Sequence, residues 1–528
     1  MVTFLILLGA IGTLIWGFRR ARPYGKIGVL AWLQSIVLVA PWLLFFSLSA
    51  VGIFLNFAVV LTLIVSSTGV YIWLGSQLRA ESRRVMPPNV SEFRAEQPGS
   101  SRAVDQPPNQ AALQSGHAPS SINPSPEGLP GNPDNQHGRT EVKPQVKGSS
   151  DEHAPAILET ISKEDLQAIK GIFGIDTFYS TESAPYQDGA AFKGNLRGDA
   201  AVVYQNLSAS LSERMGDRYD LYLLEGPDKK PLVIVLPTTN APLPTTPFQW
   251  IISVILAIAT FVTCLETAGI LQGFNVFQDS THLPDSLWIG GGIMSILVVH
   301  EIGHWVKAKQ HHVRLSPPFF IPALQIGSFG SLTRFESILP NRTVLFDISV
   351  AGPLFGGTLS LVFLIIGLLL SHQGSLFQVP TSFFQGSVLV GLLARAVLGS
   401  QMNQALVDIH PLTILGWLGL IITALNLMPA GQLDGGRIVQ AIYGRTIARR
   451  MTIATVILLG VVTLVQPLAL YWAIVILFLQ RNLERPSLNE LTEPNDIRAA
   501  LGLLALFLTA AILLPLTPGL SGQLGIGG

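Results

Sequence analysis

A single cysteine, Cys264, stands in a chain of 528 residues, which leaves no disulfide framework within the chain and no multi-cysteine metal site. Charge is scarce as well. Only 12% of residues are charged, against roughly 25% in ordinary soluble proteins, so a single soluble globular fold is excluded. Neither sign is in excess, with 33 basic and 33 acidic residues, and a nucleic-acid partner, which calls for a basic surface against phosphates, is not expected. The zero net charge is a cancellation. Residues 81–246 hold 15 Lys/Arg and 21 Asp/Glu, leaving 18 and 12 for the other 362 residues. An acidic polar insert therefore separates two apolar, inside-positive blocks.

Long hydrophobic runs are what the chain has instead. A helix needs about 20 apolar residues to cross a bilayer, and the first block supplies three runs, roughly 1–18, 27–47 and 49–74. The first lacks a basic start and is followed by Arg19, Arg20, Arg22 and Lys26, the pattern of an uncleaved anchor with its basic loop inside. No Arg- and Ser-rich transit peptide precedes it, as expected of a bacterial or cyanobacterial chain rather than a chloroplast precursor. The second block carries runs at about 247–272, 287–307, 344–371, 411–428, 451–466, 467–480 and 498–516. The run 384–400 contains Arg395 and reads as a re-entrant or interfacial helix. With this tracing 17 of the 18 Lys/Arg in the membrane blocks fall on the inner side.

The expected fold is thus a polytopic α-helical membrane protein of about ten spans, with a small α+β soluble domain inserted before its core. Residues 1–80 hold the three N-terminal spans. Residues 81–155 read as a disordered linker, because the stretch 85–155 has 12 prolines and one aromatic, Phe93, too little apolar surface to offset the entropy of ordering it. Residues 156–245 regain globular character. Helices are expected over Glu164–Phe173 and Asp199–Met215, and strands at Thr177–Ser180, Ala190–Leu196, Tyr219–Leu224 and Leu232–Leu236. Residues 246–520 form the membrane core, and 521–528 a tail.

Inside the run 287–307 sits His300-Glu301-Ile302-Gly303-His304. Residues i and i+4 share a helix face, so both imidazoles can reach one ion. Glu301, about 100° round the helix, can address a metal-bound water. Ionisable groups in a membrane span are costly and tend to be functional. The bland alternative is a pair of histidines bonding between helices. A catalytic zinc needs a third protein ligand, and Asp434 is the candidate, in Asn426-Leu427-Met428-Pro429-Ala430-Gly431-Gln432-Leu433-Asp434-Gly435-Gly436-Arg437. A helix C-cap before a basic inner loop would account for Gly435 and Arg437. It would not account for Asp434, since a carboxylate is disfavoured at a helix C-terminus.

These segments together resemble the site-2 protease family of intramembrane zinc metalloproteases. Gly194-Asn195-Leu196-Arg197 and the stretch Asp347–Gly357 (DISVAGPLFGG) are similar to signatures of its EGY-type subgroup in cyanobacteria and chloroplasts. The resemblance covers roughly 156–516. It implies one Zn2+ held by His300, His304 and Asp434, with Glu301 as general base and Asn426 lining the site. It also implies hydrolysis of membrane-anchored protein substrates in or near a transmembrane segment. The enzyme would be integral to the bilayer of a plasma or thylakoid membrane, with its site near the cytosolic side. The resemblance also implies that a strand in the loop 315–343 could pair with the unwound substrate, the alternative being a plain connecting hairpin. Two other readings are a catalytically silent scaffold of the same fold, against which the intact His300, Glu301, His304 and Asp434 count, and a metal-ion transporter. A transporter would spread ionisable residues along several spans, whereas these cluster at one depth.

Other groups have plainer readings. Asp347 is expected to cap the helix beside it or to support a zinc-bound histidine. Gly194–Arg197 suits either a docking surface or a β-turn. His311 and His312 suit solvent or headgroup contacts, and Glu266 has no partner visible in the sequence.

Overall fold

The computed structural model describes residues 17–19, 21–22, 25–50, 66–67, 70, 73–78, 81, 161–226, 228–464, 468–477 and 482–526. The chain divides into two compact units, 1–148 and 149–528. In the first, the apolar run 27–47 lies in helix α1 (Gly25–Ala50). The Ser67 hydroxyl donates to the Val37 carbonyl of α1. Residues 1–16 of the first run, most of 49–74 and residues 82–155 of the linker lie outside the described residues.

The second unit begins with a four-stranded sheet. Strands β1 (Phe178–Tyr186), β2 (Gly189–Leu196), β3 (Tyr219–Glu225) and β4 (Pro231–Pro237) pair antiparallel in the order β1-β2-β4-β3. Helices α2 (Lys163–Lys170) and α3 (Ala200–Met215) accompany it. Asp199 caps α3 by accepting from the Ala201 and Val202 amides. The buried stripe Val203, Leu207, Leu211 and Met215 recurs every four residues and packs on Phe178, Phe192, Leu221, Leu223, Val233 and Val235 of the sheet. Gly194–Arg197 is no turn. Gly194, Asn195 and Leu196 are the last residues of β2, opposite Ser180, Tyr179 and Phe178, and a Cβ on Gly194 would lie 2.2 Å from the Tyr179 carbonyl oxygen.

In the membrane core, four helices among the described residues are long and apolar enough to cross a bilayer. They are α4 (Pro247–Leu271), α5 (Leu283–Gln310), α6 (Arg342–Leu370) and α11 (Asp496–Leu513). The other expected spans take shorter or broken forms. Helix α7 (Val388–Leu398) covers the ambiguous 384–400 stretch, and a small hairpin of β7 (Phe377–Pro380) and β8 (Leu406–Ile409) brackets it. Helix α8 (Pro411–Asn426) has 16 residues, about 24 Å, which falls short of a hydrocarbon core of about 30 Å. Helix α9 (Asp434–Val462) is broken at Gly444, whose φ of 79° no helix tolerates, and α10 (Leu468–Val475) has eight residues. A last short helix, α12, covers Pro518–Leu524.

Glycines set how closely these helices approach. A Cβ on Gly416 of α8 would lie 2.2 Å from the Leu364 backbone of α6, and one on Gly367 of α6 would lie 2.2 Å from the Thr413 backbone of α8. Between α5 and α6, the expected strand in the 315–343 loop forms as a hairpin of β5 (Phe319–Ala323) and β6 (Gly327–Leu332).

Candidate metal centre

Helix α5 presents His300 and His304 on one face, 8% and 4% exposed, toward α6. That face is open because α6 carries glycine where it passes. A Cβ at Gly352 would lie 2.2 Å from His304 Nε2, and one at Gly356 would lie 2.9 Å from His300 Cβ. This is what the glycines of the DISVAGPLFGG stretch do. His304 Nδ1 stands 2.8 Å from the Ile348 carbonyl oxygen, which can only accept, so the proton sits on Nδ1 and the Nε2 lone pair faces the cluster.

Asp434 comes from the opposite side. Residues 427–433 loop back over the start of α9 so tightly that a Cβ on Gly435 would lie 1.9 Å from the Leu427 carbonyl oxygen, and one on Gly436 would lie 2.4 Å from that of Gly431. The Gly431 amide is held by Thr452 Oγ1 at 2.9 Å. Asp434 is therefore not at the end of a helix but in the first turn of α9, where the helix dipole favours a carboxylate. Its Oδ2 lies 3.1 Å from His300 Nε2 and 3.3 Å from His304 Nε2, and the two imidazole nitrogens are 3.1 Å apart. Ligands held at about 2.0–2.1 Å around a tetrahedral zinc sit about 3.3 Å from one another. Two lone pairs and a carboxylate oxygen at these separations, in a buried site, fit one such ion. Among the described residues, His300, His304 and Asp434 are the group of His, Cys or acidic side chains so gathered.

Glu301 turns away from these three, toward the hairpin. Ser331 and Thr333 give it their hydroxyls, the Thr333 Oγ1 to Oε2 at 2.7 Å. Asn426 is buried, but its amide nitrogen donates to the Ile422 carbonyl at 2.9 Å. Its side chain abuts Gly330, where a Cβ would fall 2.4 Å from Nδ2 and whose φ is +99°. Asn426 thus packs against β6, with no hydrogen bond to the four clustered residues among the described contacts.

Sequence reasoning gave no role to Ser331 in β6 or to Thr333 just beyond its end, two residues apart and so aimed at one neighbour. Nor did it give Arg437 any role beyond the alternative of a basic inner loop. That residue is 7% exposed, not part of a solvated loop, and it binds Glu484 Oε2 through Nε and Nη2 at 3.0 and 2.8 Å. Asp347 neither caps its helix nor reaches a clustered histidine. Asn341 is the cap, and Asp347 takes a two-point contact from Arg498 at 2.7 and 2.9 Å with His311 at 3.3 Å. His311 is thereby paired within the protein rather than left to solvent. Glu266, 2% exposed, accepts from the Val276 amide at 2.9 Å.

Comparison with known proteins agrees with this arrangement. Residues 167–243 match the EGY3 middle domain, and residues 290–466 match peptidase family M50. The chain is 38% identical over 408 residues to the "Probable zinc metalloprotease EGY1, chloroplastic" of Arabidopsis thaliana, covering 70% of this chain and 74% of that one. It is 38% identical over 365 residues to that plant's "Probable zinc metalloprotease EGY2, chloroplastic", covering 67% and 65%. Its identity to the "Probable zinc metallopeptidase EGY3, chloroplastic" is 33% over 373 residues, covering 65% and 64%. No solved structure matches. The span of identity, the family matches and a membrane-embedded histidine pair lead to one identification: the chain belongs to peptidase family M50, the site-2 protease family, as a zinc metalloprotease of the EGY type.

Proposed function

We propose that the protein hydrolyses peptide bonds of membrane-anchored proteins within or beside a transmembrane segment, at a site formed by His300, Glu301, His304 and Asp434. The observation that carries this reading is the convergence, within 4.8 Å of one another, of two imidazole nitrogens from α5, a helix apolar enough to cross the bilayer, and a carboxylate oxygen from the first turn of α9. His300, His304 and Asp434 hold the zinc. When bound, the ion acidifies water and withdraws electrons from the scissile carbonyl.

Glu301 takes a proton from the attacking water and returns one to the departing amine. The Ser331 and Thr333 hydroxyls hold its carboxylate in place between these transfers. Asn426, pressed against Gly330, fixes where β6 passes the site. Among the described residues, each strand of the two-stranded β5–β6 hairpin keeps one edge without a ladder partner, which suits an unwound substrate segment added as a third strand.

The inner side of the membrane is favoured because α5 ends in Lys307 and Lys309 and is followed by Arg314. Residues 156–245 then form an inner soluble domain ahead of a protease core over 246–520. The membrane is the plasma or thylakoid membrane.

The test is cleavage of a membrane-anchored substrate by purified protein, wild type against Glu301→Gln, with bound zinc measured in both. Abolished cleavage with zinc retained is the expected result. Equal cleavage in the two overturns the role of Glu301, and wild-type cleavage that survives removal of zinc overturns the site.

A further inference from the structure

Arg437 and Glu484 form a charge pair with both side chains under a tenth exposed. Desolvating two charges costs about as much as their attraction returns, so such a pair contributes little to stability. Its effect is on orientation, and here the orientation leads to the site. The Arg437 Nη2 that binds Glu484 also donates to the Thr333 carbonyl at 2.8 Å, and the guanidinium lies 4.7 Å from the Phe335 ring centre. One bond further, the Thr333 hydroxyl holds Glu301.

The other end of this chain of contacts is fixed to the soluble domain. The Glu484 amide donates to Gln440 Oε1 at 3.1 Å, and Gln440 and Arg445 donate back to the Glu484 carbonyl. Four residues on, the backbone becomes an added strand between two partners. Leu488 and Asn489 amides donate to the Leu339 and Pro340 carbonyls at 2.8 and 3.0 Å. On the other side, Leu223 of β3 donates to the Leu488 carbonyl at 2.7 Å and accepts from the Glu490 amide at 2.9 Å. Residues 484–490 are thus strapped to the edge of the soluble sheet at one end and to Arg437 at the other.

We propose that Arg437, Glu484 and Thr333 are positioning residues for Glu301, and that the strap 484–490 makes their alignment depend on the seating of the soluble domain. The proposal rests on Glu301 acting as general base and names what holds it. None of the three residues touches substrate. An arginine fork that meets one carboxylate and one carbonyl at once defines the position of Thr333 in a way a lysine cannot.

The experiment uses the full-length zinc-loaded protein in bilayers with a membrane-anchored substrate. Thr333→Val and Glu484→Gln are each expected to lower kcat about 10- to 100-fold, the scale of a small misplacement of a reacting group, with KM and zinc content unchanged. Thr333→Ser restores most of the rate. The double variant Thr333→Val/Glu484→Gln falls no further than the slower single, because both break one connected line of contacts. Independently of activity, amide exchange across residues 331–335 speeds up in Glu484→Gln. Glu490→Pro, which removes the amide that Leu223 accepts, lowers kcat by a similar factor with zinc retained.

Additive losses in the double variant, loss of zinc, or wild-type kcat in Glu484→Gln would overturn the positioning role. Wild-type kcat in Glu490→Pro overturns the strap. If Glu484→Gln fails to fold, Arg437→Lys reads the same link with the charge kept. Failure of the general-base reading itself is seen separately, as cleavage that survives Glu301→Gln.

Discussion

The soluble sheet and the membrane core bury opposite kinds of side chain. Among the described residues of 161–245, the buried set is apolar or glycine, centred on Phe178, Phe192, Leu207 and Leu223. The core, although surrounded by apolar helices, buries His300, His304, Asp434, Asn426, Arg342, Arg437, Gln440, Glu484 and Glu490. Burying a polar group is costly unless it is paired, and these groups are paired, mostly with one another or with backbone. The sheet domain spends its interior on stability, and the core spends its interior on placing donors and acceptors. If this division is right, substitutions in the two regions should separate zinc and cleavage from folding.

The largest effect is expected at the ligands. His304→Ala or Asp434→Ala removes one of three donors and leaves a buried cavity without a counter-charge for the rest. Bound zinc should be lost and cleavage should fall by at least about 10³-fold, while exchange protection of the β1–β4 amides stays at the wild-type level. Metal analysis and hydrogen exchange on the same preparations check both halves. Cleavage at the wild-type rate by Asp434→Ala would break the comparison at its strongest point.

A methyl group is the next probe, because it adds no charge. Gly352→Ala places a Cβ where His304 Nε2 now lies within 2.2 Å, so the imidazole must move. Zinc retention against a chelator is expected to weaken about 10- to 100-fold, as when a histidine ligand is misoriented. Gly291→Ala, in the apolar part of α5 with nothing within 4 Å of its Cβ, is the matched control. It should leave zinc unchanged and stabilise the helix by up to about 1 kcal/mol. The same change then has opposite signs one helix apart. If both variants hold zinc as the wild type does, the glycines of α6 are not what admits the histidines.

Legibility in the sequence follows the same division. His300, Glu301 and His304 could be read because helical spacing alone brings i and i+4 together; Asp434 stands out in the sequence as a carboxylate ill-placed at a helix C-terminus, although it lies in the first turn of α9. The sheet strands could be read from their alternation. What could not be read depends on partners far along the chain. Arg437 has the look of a loop residue until Glu484, 47 positions on, is folded against it. Asp347 sits beside its helix start like a cap, yet its partner is Arg498, 151 positions away. The span count was legible only in part, since a hydrophobic run does not announce a break such as Gly444 or a helix as short as α8. Gly194–Arg197 suited a docking surface or a turn by composition, whereas its glycine lets β1 and β2 close on each other.

That last point yields a prediction on the sheet side. Gly194→Ala puts a Cβ 2.2 Å from the Tyr179 carbonyl oxygen and 2.8 Å from the Phe178 ring. Backbone and core must both shift, at about 1–3 kcal/mol. Faster exchange of β1 and β2 amides with zinc content unchanged is the expected pattern. Zinc loss in this variant would show that the sheet and the metal site are not separable.

The smallest effect is electrostatic and centres on a tyrosine of the sheet. Burial, with the nearby Asp220 charge second, pushes the Tyr222 hydroxyl up to about 12, above the value of about 10 that it has in an unfolded chain. A folded-state value above the unfolded one means that the folded state holds its proton more tightly. The contribution of Tyr222 to stability is therefore complete below about pH 10 and is lost as the pH rises from there through about 12. Proteolytic cutting within 161–245 should accordingly begin in that window, and Tyr222→Phe should flatten the rise without altering zinc content at neutral pH. Tyrosinate absorbance on the same samples assigns the transition, since the late-titrating component disappears in the variant. An unchanged alkaline profile in Tyr222→Phe would move the sensitivity elsewhere, to Tyr204 on α3, which burial also raises, and a second substitution there would separate the two.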